Sequence, residues 1–312
     1  MSTRTPLAPA SEAAPAAPGA GPGPKRRFDF LPYLLVTPVT LFIIALALVP
    51  AAFTIIQAFY RVDALDPPTR FDGFGNFTRM FKNDAVVGSI GNTGLYVVIG
   101  VVLSTLLGIA MAVLLQRPFR GRSIVIAVLI LPWALPGVVE GILWTGIFDP
   151  NAGLIASVMQ TFGADEGTVL LGHNRLLTIV LIELVQVWQI TPLSALLILA
   201  SLQLIPDELY EAAVIDGASP WRSFWHLTLP LARPGIAVAM VQAVIATLNV
   251  FDQPYVLNGA ATTGASVTMQ TYYISFQNLD FGQGYALSLL ITITTLVISL
   301  GVVRAVYRRV EL

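Results

Sequence analysis

Six long apolar segments limit what this chain can fold into. They cover about residues 34–60, 90–116, 123–148, 176–203, 235–257 and 284–306. A helix needs about 20 apolar residues to cross the ~30 Å hydrocarbon core of a bilayer, and every segment reaches that length. The sequence therefore predicts an all-α polytopic membrane protein with six transmembrane helices.

The composition excludes a soluble protein of this size. Charged residues make up 11% of the 312 residues and hydrophobic residues 55%, whereas roughly a quarter of an ordinary globular domain is charged. The mean hydropathy of +0.76 agrees with a membrane protein. The formal net charge of −1 carries no basic excess, so we expect no nucleic-acid partner.

Several chemistries are excluded by residues that the chain lacks. The lysines are Lys25 and Lys82, and neither stands in the Gly-Lys-Ser/Thr sequence with which a P-loop holds nucleotide phosphates. The chain is therefore not a P-loop ATPase. It has no cysteine, and His173 and His226 lie far apart, so we expect neither a catalytic site nor a metal site.

The N-terminus differs in composition from the rest. Residues 1–27 are rich in Ala, Pro and Gly and cannot bury a core, which predicts a disordered cytoplasmic tail before a membrane domain at 28–312. The apolar run that follows, from Leu31 to Tyr60, is longer than the ~7–15 residue apolar region of a cleaved signal peptide. We therefore expect an uncleaved first span.

The distribution of Lys and Arg predicts the orientation. With a cytoplasmic N-terminus, twelve of these residues lie inside and five outside, as the positive-inside rule requires. The inside set is Arg4, Lys25, Arg26, Arg27, Arg117, Arg120, Arg122, Arg222, Arg233, Arg304, Arg308 and Arg309; the outside set is Arg61, Arg70, Arg79, Lys82 and Arg175. Both termini are thus predicted to be cytoplasmic, in a multi-pass protein of the cell inner membrane.

Prolines occur in several of the expected spans, at Pro38, Pro50, Pro132, Pro136, Pro192 and Pro254. Each removes one backbone hydrogen bond and tends to bend a helix. Two interpretations remain open. The bends either serve ordinary helix packing or leave a central cavity that opens to alternate sides.

One cytoplasmic connection is both long and charged, at about residues 206–234, PDELYEAAVIDGASPWRSFWHLTLPLARP. A short helix is predicted from Asp207, with acidic residues in its first turn and Gly217 at its end. A second helix is predicted after Ser219-Pro220, with a stop at Leu229-Pro230. Its aromatic side chains favour docking to a partner.

Residues of this loop match a known family. Glu211-Ala212-Ala213, Gly217, and Leu227-x-Leu229-Pro230, at their spacing, resemble the EAA loop of binding-protein-dependent ABC importer permeases. Leu227 replaces the family's usual isoleucine. The longer string from Glu211 to Leu231 is similar to the carbohydrate branch, the maltose and glycerol-phosphate permeases.

Residues farther along the chain also resemble the carbohydrate branch. Asn249-Val-Phe251-Asp252 followed by Tyr255-Val-Leu257 matches its pattern. The family typically continues with Thr-Gly-Gly-Gly-Pro, where this chain has Asn258-Gly259-Ala260-Ala261. The outer loop after Leu257 therefore departs from the family.

The resemblance implies a type I ABC importer permease fold and a set of partners. These are a second related permease in a heterodimer, two cytoplasmic ABC ATPases, and an extracytoplasmic solute-binding protein. ATP and Mg²⁺ would be bound by the ATPases, and no cofactor by this chain. The residues that would couple to the ATPase are Glu211, Ala212, Ala213, Asp216, Gly217, Leu229 and Pro230.

Polar residues inside spans are costly and indicate a pathway or a partner. At 100° per residue, Gln242, Asn249 and Gln253 fall within roughly 40° of each other on a continuous helix, in a stripe about 16 Å long. Glu183 and Gln186 share one face of the fourth span. The predicted substrate pathway is Gln242, Asn249, Asp252, Gln253, Glu183 and Gln186, with tryptophan and tyrosine side chains for the apolar faces of a sugar.

Alternatives to this pathway stay open. The polar residues, Glu140 among them, could instead form interhelical hydrogen bonds, worth ~0.6–2 kcal/mol each. Glu183 and Asp252 would also suit an ion- or proton-coupled secondary transporter. Such a transporter usually shows internal repeats, none of which is evident, and it has no use for an EAA loop. No arginine lies in the middle of a span, which favours a neutral sugar or polyol.

Overall fold

The computed structural model of the protein describes residues 30–163, 171–259 and 263–306. The predicted tail at 1–27 lies outside the described residues, as do Arg308, Arg309, Ala260 and Ala261. The chain forms two compact units, divided between Pro50 and Ala51. The first unit contains the described residues up to Pro50, and the second unit contains the described residues from Ala51 onward.

The described elements are almost all helical. In chain order they are α1 (Leu31–Ile43), a π-helical turn (Ile44–Leu48), α2 (Val49–Gln57), β1 (Tyr60–Arg61), β2 (Arg70–Phe71), α3 (Gly75–Lys82), α4 (Asp84–Gln116), α5 (Arg122–Ala134), α6 (Gly137–Phe148), α7 (Leu154–Thr161), α8 (Arg175–Leu202), α9 (Asp207–Ile215), α10 (Pro220–Ser223), a π-helical turn (Phe224–Thr228), α11 (Leu229–Leu231), α12 (Arg233–Leu248), α13 (Asp252–Asn258), α14 (Val267–Tyr272), a π-helical turn (Tyr273–Gln277) and α15 (Phe281–Val306).

Within the described ranges, four helical segments are long and apolar enough to cross a membrane unbroken: Tyr33–Gln57, Asp84–Gln116, Arg175–Leu202 and Phe281–Val306. Two further pairs meet the same test but are bent. The α5–α6 pair bends by 96°, and the pair Pro220–Leu231 and Arg233–Leu248 bends by 67°. The structure thus holds up to six spans if each bent pair counts as one.

The predicted third span, 123–148, is present as the bent pair of α5 and α6, and the bend expected from its prolines is a complete break. The helix breaks between Ala134 and Gly137, where Leu135 and Pro136 are extended, with ψ near 136° at both. Proline lacks an N–H and disfavours a helical conformation in the residue before it. Leu135 and Pro136 therefore divide the span, whereas Pro132 lies inside α5.

The predicted fifth segment, 235–257, is also interrupted, so the single helix that the polar stripe assumes is not present. The helix ends at Leu248, and α13 begins anew at Asp252. Carbonyl groups at this break are paired from the α14 region, because Ser266 Oγ donates to Val250 O at 2.5 Å and Thr268 Oγ1 to Leu248 O at 3.4 Å. Side chains from a later part of the chain thus pair the backbone carbonyls at a break that the local sequence does not predict.

The core lies where α4, α8 and α12 pack together. Small residues stand at every fourth position of α4, at Gly100, Ser104, Gly108 and Ala112, and all four are buried. A Cβ atom at Gly108 would lie 3.1 Å from Ser194 Cβ of α8 and 3.3 Å from the next backbone nitrogen. This small-xxx-small spacing lets two membrane helices approach closely.

The connection between α2 and α4 is a compact structure of its own. Strands β1 and β2 pair antiparallel, and α3 follows them. The Asn76 side-chain amide donates at 2.8 Å to the carbonyls of both Ala58 and Tyr60. Charged residues of the segment are paired among themselves, in Arg61–Asp66 at 2.9 Å, Arg70–Asp66 at 3.1 Å and Arg79–Asp72 at 2.7 Å.

Candidate functional site

The EAA loop, residues 206–234, folds as the predicted helix–glycine–helix. Helix α9 ends at Ile215, and Gly217 has a φ of +76°, in the left-handed region that favours glycine. The Gly217 N–H bonds to Val214 O at 3.0 Å and the next N–H to Ala213 O at 2.9 Å, which closes the helix end. Ser219 then caps α10 by accepting from Arg222 N at 3.3 Å.

The second helix of the loop ends at Leu231, within two residues of the predicted stop at Leu229-Pro230. The chain passes from α10 through the π-helical turn Phe224–Thr228 into α11, and α12 follows after the bend. Pro230 lies in the first turn of α11, where a missing N–H costs no helical hydrogen bond. The loop is therefore continuous with the fifth span.

The outer surface of the EAA loop is apolar and uncovered. The side chain of Ile215 is 85% exposed and that of Trp221 71% exposed. Trp221, Phe224 and Trp225 form a ring cluster with centroids 5.3–6.2 Å apart. The ion pairs of the described residues all lie within residues 61–79, so Arg222 and the acidic residues of α9 have none. Such a surface fits a docking site.

Tyr210 connects the loop to two other elements. Its hydroxyl accepts from Gln116 Nε2 at the end of α4, at 3.2 Å, and lies 3.3 Å from Thr228 Oγ1. A cavity of about 510 Å³ lies beside it, bounded also by Arg117, Gln203, Asp207 and Glu211. Tyr210 thus joins α9 to the end of α4 and to the segment leading into α12.

A hydrogen-bonded network joins three helices near the break in the third span. Gln253 Nε2 donates to Glu140 Oε2 at 2.9 Å and to Gln189 Oε1 at 3.0 Å. Gln189 Nε2 in turn donates to the carbonyl of Leu135 at 3.3 Å, at the break itself. Glu140 is fully buried. The network thus links α13 to α6 and α8.

Glu183 lies at the contact of α4, α8 and α12. It is fully buried, and its carboxyl group packs against Gly100 and the methyl group of Thr247. Neither of its oxygens has a hydrogen-bond partner among the described residues. Gln186, one turn along α8, donates to Ala246 O of α12 at 2.9 Å. The two side chains share a face, as predicted.

The predicted polar stripe of the fifth span is wrong, because the helix that would carry it is broken. Gln242 is half-buried in α12, whereas Asn249 is exposed at the helix end and donates to Ile245 O of its own helix at 2.8 Å. Asp252 starts α13 and lies against Gly137. Gln253 alone of the four joins the network around Glu140.

Breaking the network should destabilise the membrane domain. We expect Gln253→Leu to lower the free energy of unfolding by ~1–3 kcal/mol, because a buried acceptor on Glu140 loses its donor. The double variant Glu140→Leu/Gln253→Leu should recover part of this loss, since the buried carboxyl group of Glu140 is then removed together with its donor and Gln189 Oε1 alone loses a partner. Thermal unfolding in detergent measures both effects.

The matched control is Asn249→Leu. The Asn249 side chain is exposed, so this substitution should change the free energy of unfolding by under ~0.5 kcal/mol. A double variant no more stable than Gln253→Leu alone would contradict an energetic link between Glu140 and Gln253.

An aromatic cluster lies beside the break in the fifth span. Phe251 and Tyr255 stack at 5.2 Å, and Tyr255 contacts Tyr272 at 5.7 Å and Tyr273 at 6.5 Å. Burial, together with the hydroxyls of Tyr255 and Tyr272, raises the pKa of Tyr273 above its usual value. Its hydroxyl donates to Gly259 O at 3.2 Å.

The family of the chain follows from comparison with known proteins. A family model described as "binding-protein-dependent transport system inner membrane component" matches residues 104–311, more than half of the chain. The chain belongs to this family. It is therefore a permease of the inner membrane, and the matched part contains the EAA loop, α8, α12 and the second half of α4.

Relatives of this permease match it along most of its length. The trehalose/maltose transport system permease protein MalF of Thermococcus litoralis is 32% identical over 267 residues, covering 85% of this chain and 90% of that protein. The sulfoquinovosyl glycerol transport system permease protein SmoG of Agrobacterium fabrum is 31% identical over 272 residues, covering 84% and 88%. These proteins are ABC transporter permeases of the carbohydrate type.

A solved structure shows the same fold. A chain of the bacterial ABC transporter involved in the import of the acidic polysaccharide alginate matches this permease with a TM-score of 0.75 and 21% sequence identity. The match covers 89% of this chain and 95% of that one. The permease thus has the predicted type I ABC importer fold.

Two connecting residues of the permease were not among the predicted site residues. Tyr210 lies between Leu209 and Glu211 in a loop already assigned to docking, but a tyrosine hydroxyl has no periodicity that reveals its partners. Gln189 lies on α8 off the face of Glu183 and Gln186, and its role depends on Gln253, which is 64 residues away. No pattern in the sequence connects them.

Proposed function

We propose that this permease is the membrane subunit of an ATP-driven importer for a sugar or related polyol. It would pair with a second related permease, two cytoplasmic ABC ATPases and an extracytoplasmic solute-binding protein. ATP and Mg²⁺ would bind to the ATPases. The names of the relatives support this solute class, because trehalose, maltose and sulfoquinovosyl glycerol are carbohydrates or their derivatives.

The EAA loop carries the proposal. Its exposed apolar surface is suited to docking in a cleft of the ATPase, and Tyr210 attaches it to α4 and to the segment that leads into α12. When two ATPases close on ATP, a docked loop that is attached in this way would move the helices as rigid bodies. The proposed coupling residues are Glu211, Ala212, Ala213, Asp216, Gly217, Leu229 and Pro230.

The predicted pathway residues fall into two groups that differ in burial. Gln242, Asn249 and Asp252 are half-buried or exposed and form no side-chain-to-side-chain hydrogen bond with another described residue. They are our candidates for contact with the hydroxyl groups of a sugar. Glu183, Gln186 and Gln253 are buried between helices. In this conformation they support helix packing, and they would reach solute after the helices rearrange.

The test is ATP hydrolysis in a reconstituted complex. We expect the permease, purified with its partner subunits and placed in liposomes, to hydrolyse ATP several-fold faster with a sugar-loaded binding protein, because that protein favours the state in which the ATPases close. A binding protein loaded with an amino acid is the control. Uptake should persist after a protonophore collapses the proton gradient.

The opposite results would favour the other mechanism. Uptake that needs no ATP and follows an imposed proton gradient would assign Glu183 and Asp252 to a secondary transporter. Stimulation by amino-acid-loaded binding proteins alone would retain the importer and reject the carbohydrate class.

A further inference from the structure

Helix α3 exposes phenylalanine side chains opposite its packed face. At 100° per residue, Phe81 points within about 20° of Phe74, the residue before α3, and Asn76 and Met80 point roughly 100–160° away from these two rings. Asn76 and Met80 are fully buried, whereas Phe74 is 72% exposed and Phe81 55% exposed. A short helix with one packed face would normally turn polar residues outward. This one does not.

The exposed rings belong to a larger apolar patch. Phe59, Phe74 and Phe77 contact one another with centroids 5.5–5.8 Å apart, and Phe77 is half-buried. We call the side chains of Phe74, Phe77 and Phe81 the phenylalanine face. In water such a face would be unfavourable, because Phe74 and Phe81 each keep more than half of their area exposed.

The position of α3 relative to the membrane follows from its attachments. Asn76 bonds to the carbonyls of Ala58 and Tyr60, directly after the first span, and Asn83 alone separates α3 from α4. Gly282, at the start of α15, donates to the backbone of the same hairpin, at Val62 O and 2.9 Å. Three span ends meet at α3, so it lies at a membrane boundary.

The length of α4 places that boundary in the headgroup layer. Its 33 residues extend about 50 Å at 1.5 Å per residue, whereas the hydrocarbon core is ~30 Å thick and the whole bilayer ~40–45 Å. The ends of α4 therefore reach the headgroups on both sides. Gln116 at its other end bonds to Tyr210 of the EAA loop, so α3 is at the opposite surface.

We propose that the phenylalanine face of α3 inserts into the headgroup layer of the leaflet opposite the EAA loop. The occupant is bilayer lipid, because covalent continuity with spanning helices holds the face at lipid depth. Lys82, exposed at the end of α3 beside Phe81, suits the phosphate groups of that layer. The segment would thus fix the depth of the three span ends, a role independent of the transported solute.

Spin labels on single cysteines test the proposal. The chain has no cysteine, so Phe74→Cys and Phe81→Cys can be labelled alone, and Asn151→Cys in the exposed α6–α7 loop is the control. The full permease with its partner subunits is placed in phosphatidylethanolamine–phosphatidylglycerol vesicles. Collision rates with O₂, which concentrates in lipid, and with a water-soluble Ni²⁺ chelate are then measured.

The expected result is an O₂-to-chelate collision ratio at both α3 sites about threefold or more above that at Asn151, as for residues of an interfacial helix. Chelate access equal to that at Asn151 would show a water-exposed face and overturn the proposal. Shielding from both probes would overturn it too, since a protein partner would then cover the face. Unfolding midpoints equal to that of the unsubstituted protein confirm that the labelled variants are folded.

Discussion

Replacing Gly217 with valine is expected to reduce solute-stimulated ATP hydrolysis tenfold or more while the membrane domain stays folded. Gly217 has a φ of +76°, and the left-handed conformation costs a residue with a Cβ atom roughly 1–2 kcal/mol, more for a β-branched one. A Cβ atom there would meet no atom within 4 Å. The penalty is therefore confined to the backbone, and it reorients α10 relative to α9.

The control for this prediction is Gly217→Asn, because asparagine tolerates the left-handed region. It should retain most of the stimulated hydrolysis. The measurement is ATPase activity in liposomes with a loaded binding protein, alongside co-purification of the ATPase. If Gly217→Val hydrolysed ATP as the unsubstituted complex does, the EAA loop would not couple through this turn.

Replacing Gly108 with leucine should prevent the membrane domain from folding stably. A Cβ atom at Gly108 would approach Ser194 Cβ and the backbone of Ala195 to 3.1–3.3 Å, and the rest of a leucine side chain would overlap α8. Because both helices are pinned by further contacts, neither can move aside without loss of packing. We expect a loss of about 3 kcal/mol or more in the free energy of unfolding.

Gly94→Leu on the same helix is the matched control. No atom lies within 4 Å of a Cβ atom at Gly94, so the new side chain extends into open space, and we expect a change under ~0.5 kcal/mol. Purified yield and the thermal unfolding midpoint in detergent report both variants. Equal midpoints for Gly108→Leu and Gly94→Leu would mean that α4 and α8 do not pack closely in the native protein.

Local features of the sequence predicted the EAA loop well. Helix α9, the turn at Gly217 and the cap at Ser219 depend on neighbouring residues, so their chemistry can be interpreted without the fold. The same holds for α4, α8 and α15, where a long apolar run is sufficient to predict a helix. The predicted stop at Leu229-Pro230 falls within two residues of the observed end at Leu231, where the chain bends by 67° into α12.

The site itself was less predictable. The stripe of Gln242, Asn249 and Gln253 assumed one helix and 100° per residue, an assumption that holds only while backbone hydrogen bonds continue. The carbonyl of Val250 accepts a hydrogen bond from Ser266 instead, so the break leaves no unpaired carbonyl at this residue. Glu140 and Gln253 are 113 residues apart, so their contact could not be deduced from spacing.

The sequence by itself determined the membrane class, the approximate spans, the EAA loop and, through that loop, the permease family. Each follows either from side chains whose effect is local or from the length of apolar runs. A bilayer requires that length whatever the tertiary structure. The tertiary structure decided where spans break, which polar residues pair and how closely α4 approaches α8. These features depend on partners from distant helices, because a buried polar group or a glycine gains its role from the atoms packed against it.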